Sequence, residues 1–271
     1  MSPYWALLQA RYRTMLQYRG AALAGASTQF WWGFIKVMIL EAFYAANPGA
    51  APMAFEAAVA YVWLGQAFIA MQPWNMDRDI VEMVRSGNVA YELMRPVDLY
   101  GYWYMRALAQ RAASVTLRCV PIFLFTGIVL SFSPVSSWAL GPPVSPAAAL
   151  AFALALAVAF LLSAAITTLA HMTLFWTLAG EGISRILPAA VIVFSGMVVP
   201  LPFFPEWAQP IVRALPFRAL CDVPFRLYTG DLSPAAALPE LAFGLAWTLA
   251  LVAAGRILLA RGARRLVVQG G

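Results

Sequence analysis

Residues 194–230, FSGMVVPLPFFPEWAQPIVRALPFRALCDVPFRLYTG, decide the reading of this chain: an apolar run meets Pro200, Pro202 and Pro205, then continues as an aromatic segment carrying Arg213, Arg218 and Arg226. Proline has no amide hydrogen and fixes φ, so a regular helix ends at this cluster. The backbone beyond it is expected to be irregular or re-entrant, a form that a membrane tolerates only where protein or a watery cavity shelters it. Within it Trp207, Ile211, Leu215 and Phe217 form a short apolar face, while Glu206, Gln209 and Arg213 are expected to meet water. An outer vestibule of this kind suits a polytopic protein that moves or binds something better than it suits a passive anchor.

Working outward, the 271 residues are 62% hydrophobic and 11% charged, against about 25% charged in a soluble domain. The mean hydropathy is +0.74. A bilayer core about 30 Å thick needs roughly 20 apolar residues per helix. Six runs meet that need: 21–46, 57–74, 112–132, 147–177, 183–200 and 239–260. No alternating strand pattern with short turns is visible, which argues against an outer-membrane barrel. The expected fold is an all-α polytopic membrane protein of six transmembrane helices forming a single domain over residues 1–271.

Orientation follows from the arginines, which short cytoplasmic loops retain. With both termini inside, the inner segments hold Arg11, Arg13, Arg19, Arg78, Arg85, Arg95, Arg106, Arg111, Arg118, Arg185, Arg256, Arg261, Arg264 and Arg265, fourteen of the 18 basic residues. The expectation is N-in and C-in. Attraction to the anionic inner leaflet accounts for the pI near 9.6, so no nucleic-acid partner is needed. The first span carries Lys36 and Glu41 and exceeds a signal-peptide core in length, so it is expected to remain as a helix. Cys119 and Cys221 fall at opposite sides of the bilayer in this topology and cannot pair. No metal-ligand spacing occurs.

Outside the spans, residues 1–20 place Tyr4, Leu7, Leu8, Tyr12, Met15, Leu16 and Tyr18 at helical spacing. Two readings fit: an amphipathic helix lying in the inner interface and ending at Gly20, or a basic flank of the first span. The segment 75–111 gathers charge of both signs. Its stretch Asp77 to Arg85 has a short helical pattern, with Ile80, Met83 and Val84 on one side, Asp79, Glu82 and Ser86 on the other, and a stop at Gly87. Arg95-Pro96 marks a second break. A short mixed-charge helix fits a docking surface for a soluble partner, and it equally fits a solvated loop against lipid headgroups. The inner turn AGEGISR, 179–185, leaves room for little beyond a tight turn, and 261–271 is a cytoplasmic tail.

These residues carry a resemblance. The run SGNVAYELMRPVDLYGYWYMRAL, 86–108, is similar to the inner loop of ABC-type-2 exporter permeases, where a glycine, hydrophobic residues and Arg-Pro-Val come after a short coupling helix. The run FSGMVVPLPFFPEWAQPIVRALPF with VPFRLYTGDL resembles the same family around its last two spans, so the likeness covers nearly the whole chain. It implies the transmembrane subunit of an ATP-driven exporter in the bacterial inner (cytoplasmic) membrane, half of a translocation path. It also implies an interface helix at the N-terminus, and re-entrant outer helices over 201–238. No phosphate-cradling G-x-x-x-x-G-K-[ST] loop is present, so no catalytic residue is assigned and the chain is not expected to be an enzyme. ATP and Mg²⁺ belong to an implied partner, a dimeric ATPase, alongside a second permease, identical or related, and membrane lipids. The resemblance puts ATPase coupling on Asp77, Arg78, Asp79, Glu82, Arg85, Ser86, Gly87, Arg95 and Pro96.

Polar groups inside spans are costly and usually face protein or water, which marks candidates for the path. Gln29, Trp32 and Lys36 form one stripe of the first span, and Trp63, Gln66 and Ser195 are further candidates. Lys36 either faces the path or snorkels outward, with Glu41 at the outer interface. Arg111, Ser114 and Arg118 share one face of the third span, a stripe suited to acids or lipid phosphates at the inner leaflet. His171, the only histidine, either satisfies a neighbour or takes part in proton or substrate chemistry. Clustered ionisable groups of an intramembrane protease are absent, whereas an ion-gradient-driven secondary transporter is the competing class. Within the resembled family, the expected cargo is a hydrophobic or amphipathic small molecule or lipid, with multidrug efflux of hydrophobic cations as one instance.

Overall fold

The computed structural model describes residues 3–17, 19–46, 49, 51–177 and 181–263. These form helices α1 (Pro3–Met15), α2 (Arg19–Ala46), α3 (Phe55–Ala67), α4 (Arg78–Arg85), α5 (Val89–Leu93), α6 (Leu99–Leu124), α7 (Pro146–Thr177), α8 (Glu181–Phe194), α9 (Gln209–Ala214), α10 (Asp222–Thr229) and α11 (Ala237–Gly262). Among the described residues three helical stretches are long and apolar enough to cross a membrane: Leu99–Phe132, Pro146–Thr177 and Pro234–Gly262, with a shorter apolar helix over Arg185–Phe194. The turn 179–185 falls partly outside the described residues, as do Tyr18 and the tail arginines Arg264 and Arg265.

The alanine-rich α7 is the hub. It packs along α11, α6 and α10, because small side chains let helices approach closely where no hydrophobic effect drives them together. The helix containing the third run starts at Leu99, well before the 112 that hydropathy suggests. Asp98 caps it by accepting the Gly101 N–H at 2.9 Å. Its sequence LYGYWYMRALAQR mixes tyrosine, tryptophan, arginine and glutamine among apolar residues, which lowers hydropathy without breaking the helix. Beyond Leu124 it loosens into a π-turn, Phe125–Val129, a few residues past the internal Pro121.

The second run behaves differently. α3 is only 13 residues long. A 3-10 turn over Ile69–Met71 comes next, and the chain then runs without regular structure to Asp77, turning tightly at Pro73, where the Trp74 N–H donates to Gln72 O at 2.9 Å. Pro73 accounts for the stop, since it can neither donate an amide nor allow its predecessor a helical conformation. The backbone freed here is satisfied by partners from other helices: Met71 O accepts from Arg111 Nε at 3.3 Å and from the Ser163 hydroxyl. Ser163 lies midway along α7, so the break sits halfway through the bundle.

The fifth run breaks as well. α8 ends at Phe194, Gly196 turns with φ of +82°, and Leu201–Phe203 form a 3-10 turn. Only glycine suits that turn, because a Cβ on Gly196 would lie 2.5 Å from the Tyr61 hydroxyl. The next segment folds back into the bundle. Asp222 N–H donates to Ser195 O at 3.2 Å, and Asp222 Oδ1 accepts from Tyr61 OH and the Leu201 N–H, both at 3.1 Å. Cys221 is buried and accepts from Gln72 Nε2, so the two breaks meet. In α9 the buried side chain is Val212, whereas Trp207 and Ile211 stay exposed. Gln209 donates to Leu201 O and Phe204 O, at 2.7 and 3.0 Å, instead of facing water.

Candidate coupling site and polar interior

Helix α4 starts where Asp77, in extended conformation, accepts the Asp79 N–H at 3.0 Å, and it ends before Gly87, whose φ is +77°. Ile80 and Val84 are buried beside Trp103, Tyr100, Met172 and Phe175, while Arg78, Asp79, Glu82, Arg85 and Ser86 lie on the exposed side. The Ser86 hydroxyl returns to Glu82 O at 2.8 Å.

The groups that fix α4 to the bundle come from elsewhere in the chain. Arg106 on α6 donates from Nε to Asp77 Oδ2 at 2.6 Å and from Nη2 to Asp77 Oδ1 at 2.9 Å and Asp79 Oδ2 at 2.5 Å. A fork of this kind holds carboxylates by geometry as well as charge. From α7, His171 Nε2 accepts the Asp77 N–H at 2.9 Å, so the imidazole satisfies a backbone group at the coupling helix. Trp103 stacks on Phe175 with ring centres 5.9 Å apart and meets His171 edge-on at 6.0 Å.

The next turn extends this surface. In α5, Glu92 is buried and accepts from Trp103 Nε1 at 2.8 Å, with Arg95 alongside at 3.5 Å and Pro96 next in the chain. Tyr91 and Met94, by contrast, are 67% and 72% exposed. A mixed-charge helix beside exposed aromatic and sulfur side chains is chemically suited to protein contact. Sequence reasoning missed Arg106, His171, Tyr91 and Met94 as parts of this site. The run VAYELM between Gly87 and Pro96 carried a signal for the last two, and Arg106 and His171 are too distant in sequence to be linked to Asp77 by spacing. Under the same surface, α1 lies along α6, where the Tyr12 hydroxyl donates to Thr116 Oγ1 at 3.2 Å. A cavity of about 160 Å³ between them is lined by Arg11, Met15, Asp77, Asp79, Arg106 and Gln110.

The six residues expected along a path stand in different surroundings. Trp63 is fully buried, fills the notch left by Gly33 on α2, and donates from Nε1 to Trp138 O at 2.7 Å. Gln29 and Gln66 are buried, each with its Oε1 lacking a partner among the described residues. Ser195 is buried at the turn after α8, Lys36 is half-buried, and Trp32 is exposed on α2. Among the described residues no group of three His, Cys, Asp or Glu side chains could hold a metal ion.

Comparison with protein families places residues 25–270 in one described as ABC-2 family transporter protein. The chain belongs to the ABC-2 transporter family. No curated protein matches it significantly. As an ABC-2 protein it is a multi-pass membrane permease, a subunit type that is typically non-catalytic and implies an ATPase partner. The family match names no substrate and gives no support to multidrug efflux. In this ABC-2 permease the cluster of Arg106, Asp77, Asp79 and His171 therefore sits in a transport protein.

Proposed function

We propose that the chain is the permease half of an ATP-driven exporter of the bacterial inner membrane. In this reading it has six spans, both termini inside, and the segment 201–238 re-entrant from the outer face. The observation that carries the reading is the presentation of α4: two buried apolar side chains beneath, an exposed mixed-charge face above, and a guanidinium fork gripping its first turn. A docking element needs both features, because an exposed face recognises the partner and a rigid base transmits its movement. The partner is a dimeric ATPase that binds ATP and Mg²⁺, and a second permease, identical or related, completes the path. Closure of the ATPase pair draws the two α4 helices together and tilts the permease halves, opening the path outward. Gln29, Trp32, Lys36, Trp63, Gln66 and Ser195 are the proposed path residues, and the cargo is a hydrophobic or amphipathic small molecule or a lipid. Arg78, Asp79, Glu82, Arg85, Ser86 and Gly87 are the proposed contact residues of α4, with Asp77, Arg95 and Pro96 shaping its two ends.

The test is co-purification of the ATPase with permease variants altered only on the outer face. Glu82→Lys combined with Tyr91→Ala leaves the Arg106 fork untouched and is expected to lose most of the bound ATPase at unchanged helix content and melting temperature. Full retention of the ATPase by this double variant overturns the docking assignment.

A further inference from the structure

The break in the second run faces a polar cavity of about 200 Å³, lined on one side by Gln72, Trp74 and Asn75 and on the other by Gln110, Arg111, Ser114 and Arg118 of α6. A single water needs only about 10–15 Å³ of such space, so the cavity has room for a polar group larger than one water. Its wall contains two guanidinium groups and no carboxylate. The nearest acids in sequence, Asp77 and Asp79, are taken up by Arg106.

The two arginines differ in what they do. Arg111 is occupied by its surroundings: besides Met71 O, it donates to the Ser163 hydroxyl at 2.6 Å, to Ala107 O at 3.2 Å and to the Thr167 hydroxyl. All these acceptors are neutral, so its charge stays uncompensated inside the bundle. Arg118 makes no hydrogen bond or ion pair among the described residues, and its guanidinium lies against Gly25 of α2, where a Cβ would approach Nη2 to 3.1 Å. The Ser114 hydroxyl is likewise free among the described residues. Two further groups at the cavity are buried without partners: the Trp74 indole N–H, and the Oε1 of Gln72, a residue only 5% exposed. Buried polar groups are normally satisfied, so unpaired donors and an acceptor on residues lining a polar cavity are available to a ligand.

We infer that this cavity binds a phosphate-bearing ligand, with Arg118 as its principal contact, Ser114 and the Trp74 indole as further donors, and Arg111 supplying fixed positive potential behind them. Guanidinium, hydroxyl and indole donors around an uncompensated charge match the several acceptor oxygens of a phosphate. A protonated phosphate oxygen or a headgroup hydroxyl would donate to Gln72 Oε1. The phosphate belongs either to a membrane lipid headgroup or to a soluble phosphate or phosphorylated cargo. This inference does not depend on ATPase docking, since binding is read on the permease alone.

The experiment uses the purified full chain in a neutral maltoside detergent. Phosphatidylglycerol is titrated in one arm and inorganic phosphate in the other, with tryptophan fluorescence and native mass spectrometry as readouts. Saturable lipid binding that inorganic phosphate leaves unchanged assigns a headgroup site. Competition by inorganic phosphate assigns a soluble anion. Either way Arg118→Gln is expected to weaken binding about tenfold or more, which corresponds to roughly 1.4 kcal/mol, while the Asp77–Arg106 fork is left intact. Should Arg118→Gln fail to fold, Ser114→Ala, which removes one donor at little steric cost, is expected to weaken the same binding measurably. Absence of binding in both arms, or binding unchanged in the folded variants, overturns the inference.

Discussion

Arg111 illustrates how a buried cation can serve the backbone. Irregular peptide inside a membrane bundle leaves carbonyls that neither a helix nor water satisfies, and Arg111 meets one of them at Met71 while holding Ser163 and Thr167 of α7 in place. Replacing it with leucine strips several acceptors of their donor at once. Hydrogen bonds to charged groups contribute about 1.5–3 kcal/mol each, partly offset here by the removal of a buried charge. Arg111→Leu is therefore expected to lower stability by roughly 2 kcal/mol, within the range of one such bond, seen as a lower melting temperature in detergent. Arg111→Lys should recover only part of the loss, since an ammonium cannot span the same acceptors. An unchanged melting temperature in Arg111→Leu would show that water or a neighbouring group takes over the role.

Among the elements, the turn before α10 depends on one carboxylate. Asp222 is buried, and that burial, more than any neighbour, raises its pKa above the usual carboxylate range, with Arg226 at 3.4 Å pulling the other way. A folded-state pKa above the unfolded one gives stability that is fully present below the unfolded value of 3.8 and lost as pH rises through the folded value. Acidification from neutral pH toward that range should thus stabilise wild type relative to Asp222→Asn, whose side chain keeps an acceptor for Tyr61 and Leu201. Parallel pH profiles of thermal unfolding for the two proteins would refute this. The elements also differ in how openly the sequence announces them. The ends of α4 are legible because Asp77 and Gly87 are local signals, and α7 is legible because its apolar run has no interruption. The break after α3 is harder to read: Pro73 stands in plain view, but the residues before it, FIAM, keep hydropathy high past the end of α3. The groups that make the break tolerable, Arg111 and Ser163, lie about forty and ninety residues further on. The anchoring of α4 is hidden for the same reason, since Arg106 and His171 come from other helices.

For the whole molecule, the proposed topology makes an accessibility prediction. Ser86 is exposed at the end of α4. Cys221 is buried, with its thiol pushed up to about 12 by that burial, so it should resist maleimide in the folded protein. With Cys119 replaced by serine, Ser86→Cys is expected to react with a membrane-impermeant maleimide in inside-out vesicles and to stay unlabelled in intact cells. Labelling from outside intact cells would invert the topology and remove α4 from the reach of a cytoplasmic ATPase. The grip on α4 has a mechanical corollary. The link from α3 to α4 is irregular and proline-bearing, whereas Arg106 and His171 fasten the first turn of α4 to α6 and α7. A force applied at α4 thus enters the bundle through two long struts at once, and because Arg111 of α6 and Ser163 of α7 also hold Met71 just after α3, it reaches α3 through those struts rather than along the connecting segment.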